Sequence, residues 1–198
     1  LTYVLEMAHV IKKYKMHFLL DFHYSDYWAD PGQQNKPDAW KNLSFDELKE
    51  TVHKYTYDVL YRLKIMDCAP DMVQIGNEIR SGMLFPDGAV PQYRQLAALV
   101  NEGIRAVREL LPETKVMIHL DQGGRYNCIM PWFDSMFNAG MLPIDAIGLS
   151  FYSFWHGTFM DLKDTMSRLI KLYNLPVYIV ETAHPWRHCK GDHISKEL

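Results

Sequence analysis

Cysteine is scarce in this chain. Cys68, Cys128 and Cys189 are odd in number, far apart, and form no Cys-x-x-Cys pair. That pattern argues against a zinc ribbon, a thioredoxin-type site or a disulfide scaffold, and leaves them as buried or half-buried thiols. Long hydrophobic runs are missing too: no apolar stretch approaches the roughly 20 residues of a bilayer span, so no membrane span is expected. There is no Lys/Arg block, and a formal net charge of −3 over 198 residues gives no electrostatic footprint for nucleic acid or an anionic membrane. Residues 1–14 read as an amphipathic helix, not as a basic stretch followed by the apolar block of a signal peptide. A chain that opens on Leu1 rather than Met is expected to lie inside a longer protein, so the missing leader says little about location. Neither G-x-G-x-x-G nor G-x-x-x-x-G-K-[ST] occurs, which argues against a dinucleotide or P-loop fold. No H-E-x-x-H or close histidine pair supplies ligand spacing, so no metal or other cofactor is expected.

What is present is a strand-helix rhythm in one domain, residues 1–198, with 48% apolar residues to build a core. Val4, Met7, Ala8, Ile11 and Tyr14 follow helical spacing, and 17–20 is a short apolar strand. Ser44-Phe45-Asp46-Glu47 is a capping box opening a helix that carries Leu48, Val52, Tyr55, Val59 and Leu63 on one side. Residues 72–75 read as the next strand. Tyr93, Leu96, Ala97, Val100, Ile104 and Val107 make the following helix, and 115–120 a third strand. Trp132, Phe133 and Met136 mark a shorter helix, 146–149 a strand, Leu162 to Ile170 a helix, and 176–180 the last strand. Asp21, Glu78, Asp121, Tyr152 and Glu181 tip these strands, separated by 57, 43, 31 and 29 residues, enough each time for a crossover helix. A barrel would gather five such tips around one mouth. Eight units typically need about 250 residues, so five units predict an α/β fold of the TIM (β/α)8 type present in part.

Two glutamates carry the chemistry. Glu78 ends Val73-Gln74-Ile75-Gly76-Asn77-Glu78 and Glu181 ends Pro176-Val177-Tyr178-Ile179-Val180-Glu181. Paired carboxyls over one cleft are what glycosidic cleavage requires; a polar cap on each strand is the structural alternative. Asn77 is placed to hydrogen-bond a sugar 2-hydroxyl or to close an Asx turn. Tyr152 suits hydrogen bonding to an ionised nucleophile, or, as a core tyrosine, needs another partner for its hydroxyl. His23 and His119 are candidates for sugar hydrogen bonds or for structural roles, and Asp121 for orienting a hydroxyl or a histidine, or for capping a loop. Trp28, Trp155 and Trp186 each lie a few residues beyond a strand tip, where indole rings stack on the apolar faces of sugars. The loop from Trp28 to Gln34 is long for a connector and is expected to wall the cleft.

At this level the motifs become specific. Asp21-Phe22-His23-Tyr24-Ser25-Asp26-Tyr27-Trp28-Ala29-Asp30-Pro31-Gly32-Gln33-Gln34 resembles the signature of glycoside hydrolase family 53, the arabinogalactan endo-β-1,4-galactanases. So do Gln74-Ile75-Gly76-Asn77-Glu78-Ile79 with Gly82-Met83-Leu84, and Ile118-His119-Leu120-Asp121 with Gly123-Gly124. Ile147 to Tyr152 running into Trp155-His156-Gly157-Thr158, and Val180-Glu181-Thr182-Ala183-His184-Pro185-Trp186, complete the ordered set. The resemblance implies a partial barrel covering about strands 3 to 7, with the first two strands and the eighth absent. It implies endo-acting, retaining cleavage of β-1,4-galactan, the arabinogalactan side chain of pectin, with Glu78 as acid/base and Glu181 as nucleophile. His156 joins the substrate-binding set on the same ground, and location is expected to be secreted, cell-surface or periplasmic. His184 stands where the family usually carries an aromatic residue. A non-catalytic carbohydrate-binding remnant, or another endo-glycanase of the same clan acting on mannan or xylan, are the alternatives. An open arc of parallel strands leaves unpaired edges, so the isolated chain is expected to fold poorly or associate.

Overall fold

The computed structural model describes residues 1–184, so the candidate Trp186 and the thiol Cys189 lie outside the described residues. The strands are β1 (Leu19–Phe22), β2 (Met72–Ile75), β3 (Gly82–Met83), β4 (Gly88–Ala89), β5 (Lys115–Leu120), β6 (Ala146–Phe151) and β7 (Val177–Thr182). The helices are α1 (Thr2–Lys13), α2 (Phe45–Ile65), α3 (Tyr93–Leu110), α4 (Tyr126–Asn138), α5 (Ser153–His156) and α6 (Phe159–Tyr173). β1, β2, β5, β6 and β7 form one sheet in that order, every pair parallel. Strand order follows chain order without reversal. A doubly wound sheet reverses its order at a switch point; strictly sequential winding is that of a barrel wall.

The sheet is curled. β2 and β7 are separated by two strands, about 14 Å across a flat sheet at the usual inter-strand spacing. Yet carboxylate oxygens of Glu78 and Glu181 and a ring nitrogen of His119 lie within 4.8 Å of one another. Two side chains rooted that far apart meet only if the wall bends around them.

Burial grades from centre to edge. β5 and β6 are buried along nearly their whole length, as parallel strands covered on both faces should be. β1 alternates exposed and buried residues, and β7 is only half-buried. α2 and α3 pack through Leu48, Val52, Leu60 and Leu63 and through Leu96, Val100, Ile104 and Val107. The expected capping box is present: Glu47 N–H donates to Ser44 Oγ, and the Glu47 carboxylate accepts the Ser44 N–H at 2.8 Å. Thr158 and Asp161 form a second box at the start of α6, which the sequence pattern alone had not singled out. Among the described residues no helix is long and apolar enough to cross a membrane.

Three boundaries differ from expectation. β1 begins at Leu19 instead of His17, because its pairing with β2 starts at Leu19↔Met72 while the Phe18 carbonyl accepts from Asp71 and Met72. β7 continues through Thr182, so Glu181 lies inside a strand rather than beyond it. β6 runs on through Phe151 where the pattern ended it at Leu149, so Ser150 lies within the strand.

Candidate active site

The parallel strands all end on one side of the sheet, and a cleft of about 390 Å³ opens there. Its lining comes from the loops after β1, β2, β5 and β6 together with β7: Trp28, Asp30, Pro31, Glu78, Asp121, Gln122, Tyr152, Trp155, His156 and Glu181. A larger recess of about 830 Å³ opens at the opposite end, between strand beginnings, lined by Leu19, Met72, Met117 and Tyr178 among others. Its Asp71 is committed to structure, accepting the Phe18 N–H at 2.8 Å and pairing with Lys12. The chemistry therefore belongs to the smaller cleft.

Glu78 reaches that cleft by a sharp turn. Gly76 has φ +83°, and a Cβ there would lie 2.6 Å from Ile79 Cγ2, so only glycine fits without a shift. Glu78 itself is left-handed at φ 48°, ψ 46°, a conformation that costs a non-glycine residue about 1–3 kcal/mol. The turn buries its carboxyl, which lies 2.5 Å from Ser150 Oγ. Burial pushes this carboxyl up to about 7; a donating Ser150 hydroxyl would oppose the rise, and negative charge on Glu181, Asp121 and Asp30 adds to it.

Glu181 comes from the other end of the arc. The β6–β7 ladder shifts register so that Leu149 pairs with Ile179 but Ser150 pairs with Glu181, leaving Val180 as the extra residue of a bulge. Paired residues share a face of the sheet, so the shift sets the Glu181 side chain beside Ser150. The Tyr152 hydroxyl donates to Glu181 Oε2 at 3.0 Å. Burial, then the bond to Glu181 and the negative charge around it, push the tyrosine up to about 12.

The remaining candidates divide. Trp28 and Trp155 stay 68% and 59% exposed, leaving ring faces free to stack on a ligand. His23 is half-buried behind Trp28, with ring centroids 4.9 Å apart. Its Nε2 lies 2.9 Å from Asp21 Oδ2, and its Nδ1 accepts the Ala29 N–H at 3.0 Å. Burial works against a charge on this ring, but the Asp21 carboxylate outweighs it and the pKa rises. His23 thus braces the loop that carries Trp28. Asp121 is gripped by Arg80 through two bonds of 2.7 and 3.1 Å. His156 lines the cleft from a buried position, with burial holding its pKa down.

Asn77 and His119 lie deeper than expected, both fully buried. Asn77 Nδ2 donates to the Ala29 carbonyl, and both ring nitrogens of His119 are engaged by protein groups. Ser150, Gln74 and Arg80 were missed. The one signal for Ser150 was a lone hydroxyl within the apolar run Ala146-Ile147-Gly148-Leu149-Ser150-Phe151; for Arg80 it was a cation two residues beyond Glu78.

The family model described as Glycosyl hydrolase family 53 matches residues 1–198. Over 192 residues the chain is 35% identical to arabinogalactan endo-beta-1,4-galactanase A of Emericella nidulans, covering 93% of the chain and 55% of that protein. It is 34% identical over 180 residues to the endo-beta-1,4-galactanase of Bacillus subtilis, with 89% and 40% covered. The solved GH53 catalytic domain of Ignisphaera aggregans superposes with a TM-score of 0.89 at 39% identity, covering 95% of this chain and 52% of that one. The chain spans about half the length of the curated relatives it matches.

Proposed function

The chain belongs to glycosyl hydrolase family 53, and from that premise we propose that it supplies the catalytic carboxyl pair of an endo-acting, retaining β-1,4-galactanase. One observation carries the reading: oxygens of Glu78 and Glu181 lie within 4.8 Å of each other. Retaining enzymes hold their carboxyls about 5–5.5 Å apart, whereas inverting ones leave about 6.5–9.5 Å for a water. The environments also support distinct roles for the two. Glu78, with its proton affinity raised by burial, suits the acid that protonates the departing glycosidic oxygen. Glu181, accepting from Tyr152, suits the nucleophile that attacks the anomeric carbon and forms the glycosyl-enzyme. Glu78, by then ionised, takes a proton from the water that releases the sugar. Trp28 and Trp155 offer stacking faces to the neighbouring sugars of a chain.

The experiment compares Glu78→Ala and Glu181→Ala in the intact protein on β-1,4-galactan. Each variant is expected to lose at least about 10³-fold in kcat. Azide should restore turnover in Glu181→Ala with an α-configured glycosyl azide, and in Glu78→Ala with a β-configured one on an activated substrate. Activity retained in both variants would overturn the assignment. Galactan binding without new reducing ends in the unmutated protein would favour a carbohydrate-binding remnant instead.

A further inference from the structure

We propose that Asn77, His119 and Ser150 form a polarised hydrogen-bond chain that keeps Glu78 in its protonated, acid form, making His119 and Ser150 positioning residues of the acid/base. The inference rests on Glu78 holding that role. It follows from counting hydrogens along four contacts.

Asn77 fixes the direction. Its Nδ2 donates to the Ala29 carbonyl at 2.8 Å, so the amide atom turned toward His119 is the oxygen, an acceptor. That Oδ1 lies 2.9 Å from His119 Nδ1. Two acceptors at this distance repel, so the hydrogen must sit on Nδ1. Gln74 Nε2, 3.2 Å from the same Oδ1, is a second donor converging on it, which accounts for the two nitrogens lying side by side at 3.1 Å.

The rest is forced. His119 is fully buried, and burial lowers its pKa to about 3, so the ring is neutral and carries one hydrogen. With that hydrogen on Nδ1, Nε2 presents a lone pair to Ser150 Oγ at 2.8 Å. The serine hydroxyl donates there, and a hydroxyl has a single hydrogen to give. Its oxygen therefore meets Glu78 Oε1, 2.5 Å away, as an acceptor. The hydrogen between those oxygens belongs to Glu78.

In this arrangement Ser150 raises the proton affinity of Glu78 instead of lowering it. Ionising Glu78 obliges the serine hydroxyl to swing from His119 to the carboxylate and strands His119 Nε2 against the serine oxygen. For cleavage the Glu78 O–H turns from the serine oxygen to the glycosidic oxygen while the serine hydroxyl swings from His119 to Glu78 Oε1; the Glu78 O–H bond then breaks as a new O–H bond forms on the departing sugar oxygen. When water later returns a proton to Glu78, the hydroxyl turns back. Two hydrogens reorient, and no proton travels along the chain. The other charged and titratable groups around Glu78, namely Glu181, Asp121, Asp30, His23, Arg80 and Tyr152, are untouched by that rotation.

Two measurements on the intact protein test this. Nitrogen-15 NMR of labelled histidine should find His119 as the Nδ1–H tautomer at neutral pH; an Nε2–H tautomer overturns the proposal and needs no variant. In Ser150→Ala, carbon-13 NMR of labelled glutamate should show proton binding at Glu78 weakened about three- to tenfold, the loss of one hydrogen bond to the acid. Strengthened or unchanged binding would mean that the serine donates to the carboxylate, or does nothing, and overturns it. Failure to hydrolyse galactan would sink the functional reading while leaving both spectra decisive for the chain's direction.

Discussion

A carboxyl group buried beside a second carboxyl gives up its proton reluctantly, and Glu78 meets both conditions. In the proposed mechanism cleavage needs that proton in place, so kcat/KM of the intact protein on galactan should fall with an alkaline limb near pH 7, and Glu78→Gln should abolish the limb along with most activity. A limb several units higher would assign the proton to another group. Stability has the same sign. The folded carboxyl binds its proton more tightly than the unfolded one, whose ordinary value is 4.5, so the folded state loses stability as pH rises from about 4.5 to about 7. Glu78→Gln should therefore unfold at higher denaturant than the parent at pH 8, by about 1–3 kcal/mol, with the gap closing below pH 4.5. At this scale the sequence disclosed the residues whose types announce chemistry: paired acids, a tyrosine and exposed tryptophans at strand ends. For Asn77 and His119 it left two readings open, sugar contact or a structural role, and the structure shows them buried and turned to each other. Ser150 was hidden, because a serine in a strand is ordinary until its neighbours in space are known.

Strands and helices differ in how much of their definition is local. A helix closes its own hydrogen bonds, so spacing and caps announce it, and the apolar positions Leu48, Val52, Val59 and Leu63 of α2 are buried as their period required. Tyr55 departs, remaining 46% exposed while its ring packs on Phe22, Tyr24 and Trp40. Ser44→Ala removes the acceptor for the Glu47 N–H and should cost about 1 kcal/mol of stability. Urea denaturation with an unchanged m-value would measure it; a null effect would show the box to be idle. A parallel strand takes its hydrogen bonds from a chain segment tens of residues away, so its ends depend on a partner the local pattern does not contain. That is why β1 was placed two residues early and why the bulge at Val180 was invisible. The bulge matters more than the boundary, since it sets the nucleophile candidate opposite Ser150 and so links the Glu78 and Glu181 carboxyls through neighbouring side chains.

The curl that brings Glu78 to Glu181 also exposes what a closed barrel would hide. Among the described residues β1 and β7 each have a strand neighbour on one side only, and the outer N–H and C=O groups of such edge strands have no ladder partner. Near those edges Leu19 and Tyr178 stay exposed, and Tyr3, Met7 and Val10 of α1 and Ile170 and Leu172 of α6 keep open apolar faces. The recess of about 830 Å³ between the strand beginnings is lined in part by Leu19, Met117 and Tyr178, adding further open apolar surface. A single exposed leucine is unremarked on any protein, but several exposed apolar groups beside unpaired strand edges favour recruitment of further strands or chains. A polypeptide of residues 1–198 produced alone should therefore self-associate, eluting as a concentration-dependent mixture larger than its 23.2 kDa mass and binding hydrophobic dyes. Light scattering coupled to gel filtration decides the matter. A sharp monomeric peak that unfolds in one cooperative thermal transition would show that five strands and their helices cover one another well enough, and the edges would then need no partner.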